Sequence, residues 1–334
     1  MGARLSAVLI ALSALLLGLA GTARAGEVGF RQVAIPNGAD APLQVGIWYP
    51  TLTPGSPQRL ELFTQDVAPD APVFGHDLPL IVISHGNGGS LAGHYDTAIA
   101  LARAGFVVAA PTHTGDNWRD QSRAVYTADR PRHIHAVIDY MLGGWPERVS
   151  LDPARIGVFG FSSGGFTMLV AAGGEPDLAK VRPYCASHAT TYVCSLIRRA
   201  APATLSADAP APAPPVWVHD ARIKAAVIAA PALGFTFAPD GLKGVTLPVQ
   251  LWRAEADRVL PAPDYAEPVR DALPRPADYH VVPGADHWDF LAPCSPALTQ
   301  AAPPICGEIA GFDRAAFHQT FNAAVVAFFQ RALK

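Results

Sequence analysis

Five residues, Gly160-Phe161-Ser162-Ser163-Gly164, form a G-x-S-x-G pattern whose surroundings give it chemical meaning. Arg155 to Phe159 precede it as a short apolar, β-branched run that reads as a buried strand. Gly165 to Ala172 follow and read as the start of a helix. Strand, tight turn and helix together make a nucleophile elbow, in which flanking glycines relieve crowding and the serine hydroxyl is lifted above a sheet. The plain alternative is a glycine-rich turn with an incidental serine. A serine hydroxyl is a weak nucleophile at neutral pH, so a base, an acid and an oxyanion hole must be found elsewhere in the chain.

His287 is the candidate base among eleven histidines. It lies in Pro283-Gly284-Ala285-Asp286-His287-Trp288-Asp289-Phe290, a loop after the last predicted strand and ahead of the C-terminal helix. Asp286 and Asp289 read as residues that shape this loop. Asp257 is the candidate acid, a few residues past the apolar run that ends near Trp252. A carboxylate there can hold the imidazole Nδ1–H and fix the tautomer that faces the serine. Glu255 is the alternative acid, and an ion pair of Asp257 with Arg253 or Arg258 is the alternative role. The oxyanion hole needs two backbone N–H groups; those of Ser163 and of Asn87, in His85-Gly86-Asn87-Gly88-Gly89, are the candidates. A phosphate-cradling loop is the other use of such glycines, but neither G-x-x-x-x-G-K-[ST] nor G-x-G-x-x-G occurs here. Phe161 and Trp288 adjoin these residues and are candidates for substrate contact or for core packing. His113 and Asp116 follow a strand end and read as loop hydrogen-bonding residues. His133 and His135, two apart on a helix, do not share a face, so no metal pair is expected.

The elements that must position these residues alternate between strand and helix. Phe30–Ile35 and Leu43–Tyr49 alternate in polarity around the turn residues Asn37-Gly38 and predict an antiparallel hairpin. Leu78–Ser84 and Phe106–Ala110 predict buried strands, with Pro111 ending the second and a helix over Tyr95–Ala104 between them. Asp129 can cap the next helix, whose apolar stripe is Ile134, Val137, Ile138 and Met141 and which Gly143-Gly144 stops. Ile223–Ala230, Pro248–Trp252 and Tyr279–Val282 predict further strands. Asp313–Leu333 predicts a closing helix with Phe317, Phe321, Ala324, Val325 and Phe328 on its core face. This rhythm implies an α/β fold with a mostly parallel central sheet and helices on both faces. Residues 174–218 depart from it: they are rich in alanine and proline and show no sustained periodicity, as expected of a lid, a pocket wall or a surface loop.

Composition bounds the partners. The formal net charge of −3 and the absence of basic runs interleaved with aromatics speak against nucleic acid. Arg4, the apolar run Leu5–Ala20 and Ala23-Arg24-Ala25 predict a cleavable export signal over residues 1–25 rather than a membrane anchor. The expected location is therefore secreted or periplasmic, with residues 26–334 as one catalytic domain. Four cysteines in an exported chain predict two disulfides. Of three connectivities, the short-loop pairs Cys185–Cys194 and Cys294–Cys306 are preferred, and no C-x-x-C spacing supports a metal site.

Ser162, Asp257 and His287 in that order, with a His-Gly turn after the third strand, resemble an α/β-hydrolase. Val45-Gly46-Ile47-Trp48-Tyr49-Pro50, Ser84-His85-Gly86-Asn87-Gly88-Gly89, Gly160-Phe161-Ser162-Ser163-Gly164-Gly165 and Pro283-Gly284-Ala285-Asp286-His287 resemble the dienelactone-hydrolase-like and platelet-activating-factor acetylhydrolase-like serine esterases. True dienelactone hydrolases carry a cysteine where Ser162 stands, which speaks against dienelactone itself as the substrate. The resemblance implies a cofactor-free hydrolase of small-molecule or lipid esters. Phospholipase, polyester hydrolase or acyltransferase chemistry on the same three residues is the nearest alternative. A binding protein on the same scaffold is the more distant one.

Overall fold

A computed structural model describes residues 26–206, 215–307 and 311–334, so the expected export signal lies outside the described residues. The period-2 segments pair into a sheet of ten strands: β1 (Glu27–Asn37), β2 (Asp40–Thr51), β3 (Ser56–Leu60), β4 (Phe63–Pro69), β5 (Leu78–Ser84), β6 (Val107–Thr112), β7 (Leu151–Phe161), β8 (Ile223–Ala229), β9 (Val249–Ala254) and β10 (Asp278–Val282). Their order is β10-β9-β8-β7-β5-β6-β2-β1-β4-β3. From β10 to β6 neighbouring strands are parallel, while β1 and β2 form the antiparallel hairpin expected around Asn37-Gly38.

Eight α-helices accompany the strands among the described residues: α1 (Tyr95–Arg103), α2 (Asp129–Asp139), α3 (Ser163–Ala171), α4 (Val181–Ser187), α5 (Tyr192–Ala200), α6 (Ala266–Ala272), α7 (Pro296–Ala301) and α8 (Arg314–Ala332). Successive side chains of a strand point to opposite faces, and the central strands are apolar on both. Leu80 and Val82 of β5 meet Ile134 and Val137 of α2 and Met168 of α3 in one core. Ile81 and Ile83 meet Leu101 of α1 and Phe321 and Val325 of α8 in the other. No helix among the described residues is long and apolar enough to cross a membrane.

Several expectations are corrected. The hairpin β3–β4 precedes the strand expected to be third, which is therefore the fifth in the chain. Its pattern is masked by Pro57, tolerated on an edge strand, and by Gln65, a buried polar residue that accepts the indole N–H of Trp48 at 2.8 Å. Strand β6 runs through Pro111 to Thr112, since its pairing with β5 has already ended at Ala109. Asp129 does not cap α2; it is the first helical residue, with its carboxylate bound to Arg123 at 2.6 Å and to Arg132. Within residues 174–218, the described parts include α4, α5 and two short 3₁₀ turns joined by irregular segments. Both cysteine pairs are bridged as preferred, Cys185–Cys194 joining α4 to α5 and Cys294–Cys306 spanning α7.

Candidate active site

The turn between β7 and α3 is held in a conformation an L-residue seldom takes, with Ser162 at φ 55° and ψ −119°. Three backbone bonds enforce it: Ser162 N–H to Ala229 O (2.9 Å), and the N–H groups of Phe166 and Ala232 to Ser162 O (3.1 and 3.0 Å). The neighbouring glycines are required by space. A Cβ on Gly160 would lie 2.2 Å from Gly164 O, and one on Gly164 would lie 1.9 Å from Ser84 O. The strained serine and its close-packed glycines are the features an elbow needs.

His287 arrives from the loop after β10 and opens a 3₁₀ turn over residues 287–290. Asp286 and Asp289 form a reciprocal cap: Asp286 Oδ1 accepts the His287 N–H at 2.8 Å, and Asp289 Oδ2 accepts the Asp286 N–H at 2.8 Å. The Arg258 guanidinium bonds Asp286 at 2.7 Å and Arg314 of α8 bonds Asp289 at 2.9 Å. Although burial pushes the Asp286 carboxyl up, the N–H groups of Arg258 and His287 and the Arg258 side chain hold it below the usual carboxylate range. These two aspartates shape the loop, as the sequence suggested.

Three side chains from separate elements then meet. His287 Nε2 lies 3.1 Å from Ser162 Oγ, and His287 Nδ1 lies 2.8 Å from Asp257 Oδ2. The imidazole is fully buried. Asp257 Oδ1 accepts the N–H groups of Val259 (2.9 Å) and Leu260 (2.6 Å), which fixes the carboxylate plane. Neither arginine considered for Asp257 pairs with it: Arg258 is bound to Asp286, and Arg253 to Glu267 at 2.8 Å. Glu255 points elsewhere, accepting the Gly284 N–H at 2.9 Å. With Nδ1–H directed at Asp257, Nε2 is left to accept a proton from the serine.

Opposite the elbow lies the loop after β5. Gly86 sits against Ser162, since a Cβ there would be 3.3 Å from the serine Cβ and 3.1 Å from the Phe161 ring. The Asn87 side chain donates to Asp116 Oδ1 (2.7 Å) and accepts the Tyr192 hydroxyl (2.7 Å). Among the described residues, no partner bonds the backbone N–H of Asn87 or of Ser163. Phe161 is 1 % exposed and packs against His287, His94 and Phe290, so its contacts are with the core. Trp288 is half-buried beside His287 and meets Tyr192 edge-on at 6.5 Å. A cavity of ≈ 280 Å³ opens beside Ser163, lined chiefly by Leu178, Val181, Val193, Leu196, Ile197 and Leu233. Of this lining, Leu178, Val181, Val193, Leu196 and Ile197 come from the described part of residues 174–218.

Two contributors were missed at the sequence level. Tyr192 lies in the segment without periodicity and reaches Asn87 across 105 positions. Arg130 lies four residues before Ile134, on the buried face of α2, which is the signal that it points inward. His113 and Asp116 do act in loop hydrogen bonding. His113 Nε2 meets Ser84 Oγ at 2.8 Å, and Asp116 binds the Gly88 N–H at 2.9 Å.

No protein-family model matches the chain, and neither does any curated protein. Among solved structures, it is similar to the ferulic acid esterase from Streptomyces cinnamoneus, with a TM-score of 0.61 and 19% sequence identity over 92% of this chain and 89% of that one. The likeness is one of architecture: the chain has an α/β-hydrolase fold.

Proposed function

We propose that the chain is an exported serine hydrolase of carboxylic esters. The observation that carries this reading is the relay from Ser162 Oγ through His287 to Asp257, at 3.1 and 2.8 Å, on a strained elbow. Ser162 Oγ attacks the ester carbonyl while His287 Nε2 takes its proton, and Asp257 steadies the imidazolium. The N–H groups of Asn87 and Ser163 receive the oxyanion. Collapse of the tetrahedral intermediate breaks the carbon–oxygen bond, His287 gives its proton to the departing alcohol oxygen, and an acyl-enzyme remains. Water then enters, loses a proton to His287 and releases the acid, and the proton returns to Ser162.

The apolar cavity beside Ser163 suits an acyl group, and a ferulate-type aromatic acyl is one class suggested by the structural neighbour. The motifs shared with dienelactone-hydrolase-like and acetylhydrolase-like esterases support the same chemistry. Export is supported by the apolar run Leu5–Ala20 and by two disulfides.

The test is hydrolysis of p-nitrophenyl esters from acetate to dodecanoate, with methyl ferulate alongside, by the wild-type protein and Ser162→Ala. The expected result is turnover by the wild type and none above background in the variant. Equal turnover by both proteins would sink Ser162 as the nucleophile.

A further inference from the structure

The oxyanion hole is only as good as the orientation of the peptide between Gly86 and Asn87. In a trans peptide the carbonyl and the N–H point in opposite directions. Whatever grips Gly86 O on one side therefore aims the Asn87 N–H to the other. Three donors converge on that oxygen: His85 Nδ1 (2.6 Å), the Gly89 N–H (3.1 Å) and Arg130 Nη2 (3.1 Å). Arg130 Nη1 also donates to His85 O at 2.8 Å, so one guanidinium holds two consecutive carbonyls.

The grip is built from buried parts. Arg130 is 4 % exposed, and its Nε lies 2.9 Å from Asp116 Oδ2, an ion pair whose angle falls short of a hydrogen bond. The same Asp116 holds the Asn87 side chain and the Gly88 N–H through its other oxygen. His85 Nε2 accepts the His113 N–H at 3.1 Å, which leaves the proton on Nδ1 to donate to Gly86 O. A flip of the peptide would strand the arginine's second prong and the histidine proton together.

We propose that Arg130 is a positioning residue of the oxyanion hole, pinning the carbonyls of His85 and Gly86 so that the Asn87 N–H is fixed toward the reacting carbonyl. The inference rests on the serine-hydrolase reading above. Charge-assisted, two-pronged bonds suit this task because they define direction as well as distance. A donor that is present but misaimed stabilises the oxyanion poorly, while ground-state binding is left largely intact.

The experiment compares wild type, Arg130→Met, Arg130→Lys and Ser162→Ala on one p-nitrophenyl ester, with each rate normalised to the folded fraction from near-UV circular dichroism. Affinity for a trifluoromethyl ketone, whose serine adduct carries an oxyanion, is measured in parallel. The expected result for Arg130→Met is a kcat lowered ~10- to 100-fold with KM within threefold, and a ketone affinity weakened by a similar factor. Loss of the arginine leaves Asp116 uncompensated, so Arg130→Met can fail to fold. Arg130→Lys then decides: it keeps the charge beside Asp116 and loses the paired grip, and a roughly tenfold loss in kcat is expected. A folded variant with wild-type kcat, or with reduced kcat and unchanged ketone affinity, would overturn the proposal. In either case an inert Ser162→Ala leaves the hydrolase reading standing. An active Ser162→Ala removes that reading and the role of Arg130 with it.

Discussion

At the scale of single residues, the division of labour among neighbouring carboxylates is the sharpest consequence of the geometry. Asp257 alone reaches His287 Nδ1, while Glu255 is spent on Gly284 and Asp286 on its own turn. Asp257→Asn should keep the fold and lower kcat by about 10³- to 10⁴-fold, because the amide favours the wrong imidazole tautomer. Glu255→Gln should leave kcat within about twofold. Steady-state kinetics on both variants check this, and the reverse ranking would move the acid to Glu255. Ser162 and His287 were legible as candidates because their local sequence carries a signal: two glycines with no room for a Cβ, and a loop placed after the last strand. Arg130 and Tyr192 were not, because each acts on a loop 45 to 105 positions away, and no local pattern encodes such a contact.

At the scale of elements, the loops at the ends of the sheet strands bring Ser162, Asp257 and His287 together, and the helices hold the sheet in place. Helix α8 supplies Phe321, which is fully buried against Phe159, Trp252 and Phe290 beneath the His287 loop. Phe321→Ala should cost about 3–5 kcal/mol in chemical denaturation, and a loss under 1 kcal/mol would show that α8 is not integral to this core. The Cys294–Cys306 bridge closes a short loop beside the same turn and should contribute ~2–3 kcal/mol through chain entropy. Its reduction should lower Tm more than it raises KM; unchanged melting under reductant would contradict this. The central parallel strands were found because they are compact apolar runs, and α8 because its apolar residues recur over 19 positions. Periodicity missed β3 and β4, because Pro57 reads as a strand breaker and Gln65 puts a polar residue at a buried position of an otherwise alternating strand. It also missed α4 and α5, which are only seven and nine residues long and sit in a stretch rich in alanine and proline, and which a disulfide joins.

At the scale of the whole molecule, acid should be the condition the fold resists least. Burial pushes His94 and His133 down to about 4. Burial, with the Arg130 guanidinium nearby, holds His85 and His113 well below 6.5. In the unfolded chain each titrates near 6.5, so below that pH the unfolded state gains protons that the folded state refuses. The stability these groups confer is complete above pH 6.5 and falls as pH drops toward 4, by up to about 1.4 kcal/mol per pH unit for each histidine. Tm measured between pH 7.5 and 4.5 should fall steadily; a flat or rising profile would contradict the assignment of neutral buried imidazoles. His85, which belongs to the loop that carries Asn87, accepts the His113 N–H, and His113 in turn meets His133, so part of the acid sensitivity and the proposed oxyanion site share one structural unit.

Ser162, activated by His287, is the proposed nucleophile on which the whole mechanism turns. Its most direct test is labelling with a fluorophosphonate, followed by intact mass and peptide mapping of wild type, Ser162→Ala and His287→Ala. A single adduct on Ser162 is expected in the wild type, none in Ser162→Ala, and a labelling rate reduced by several orders of magnitude in His287→Ala. An adduct on another residue, or equal labelling of all three proteins, would contradict it.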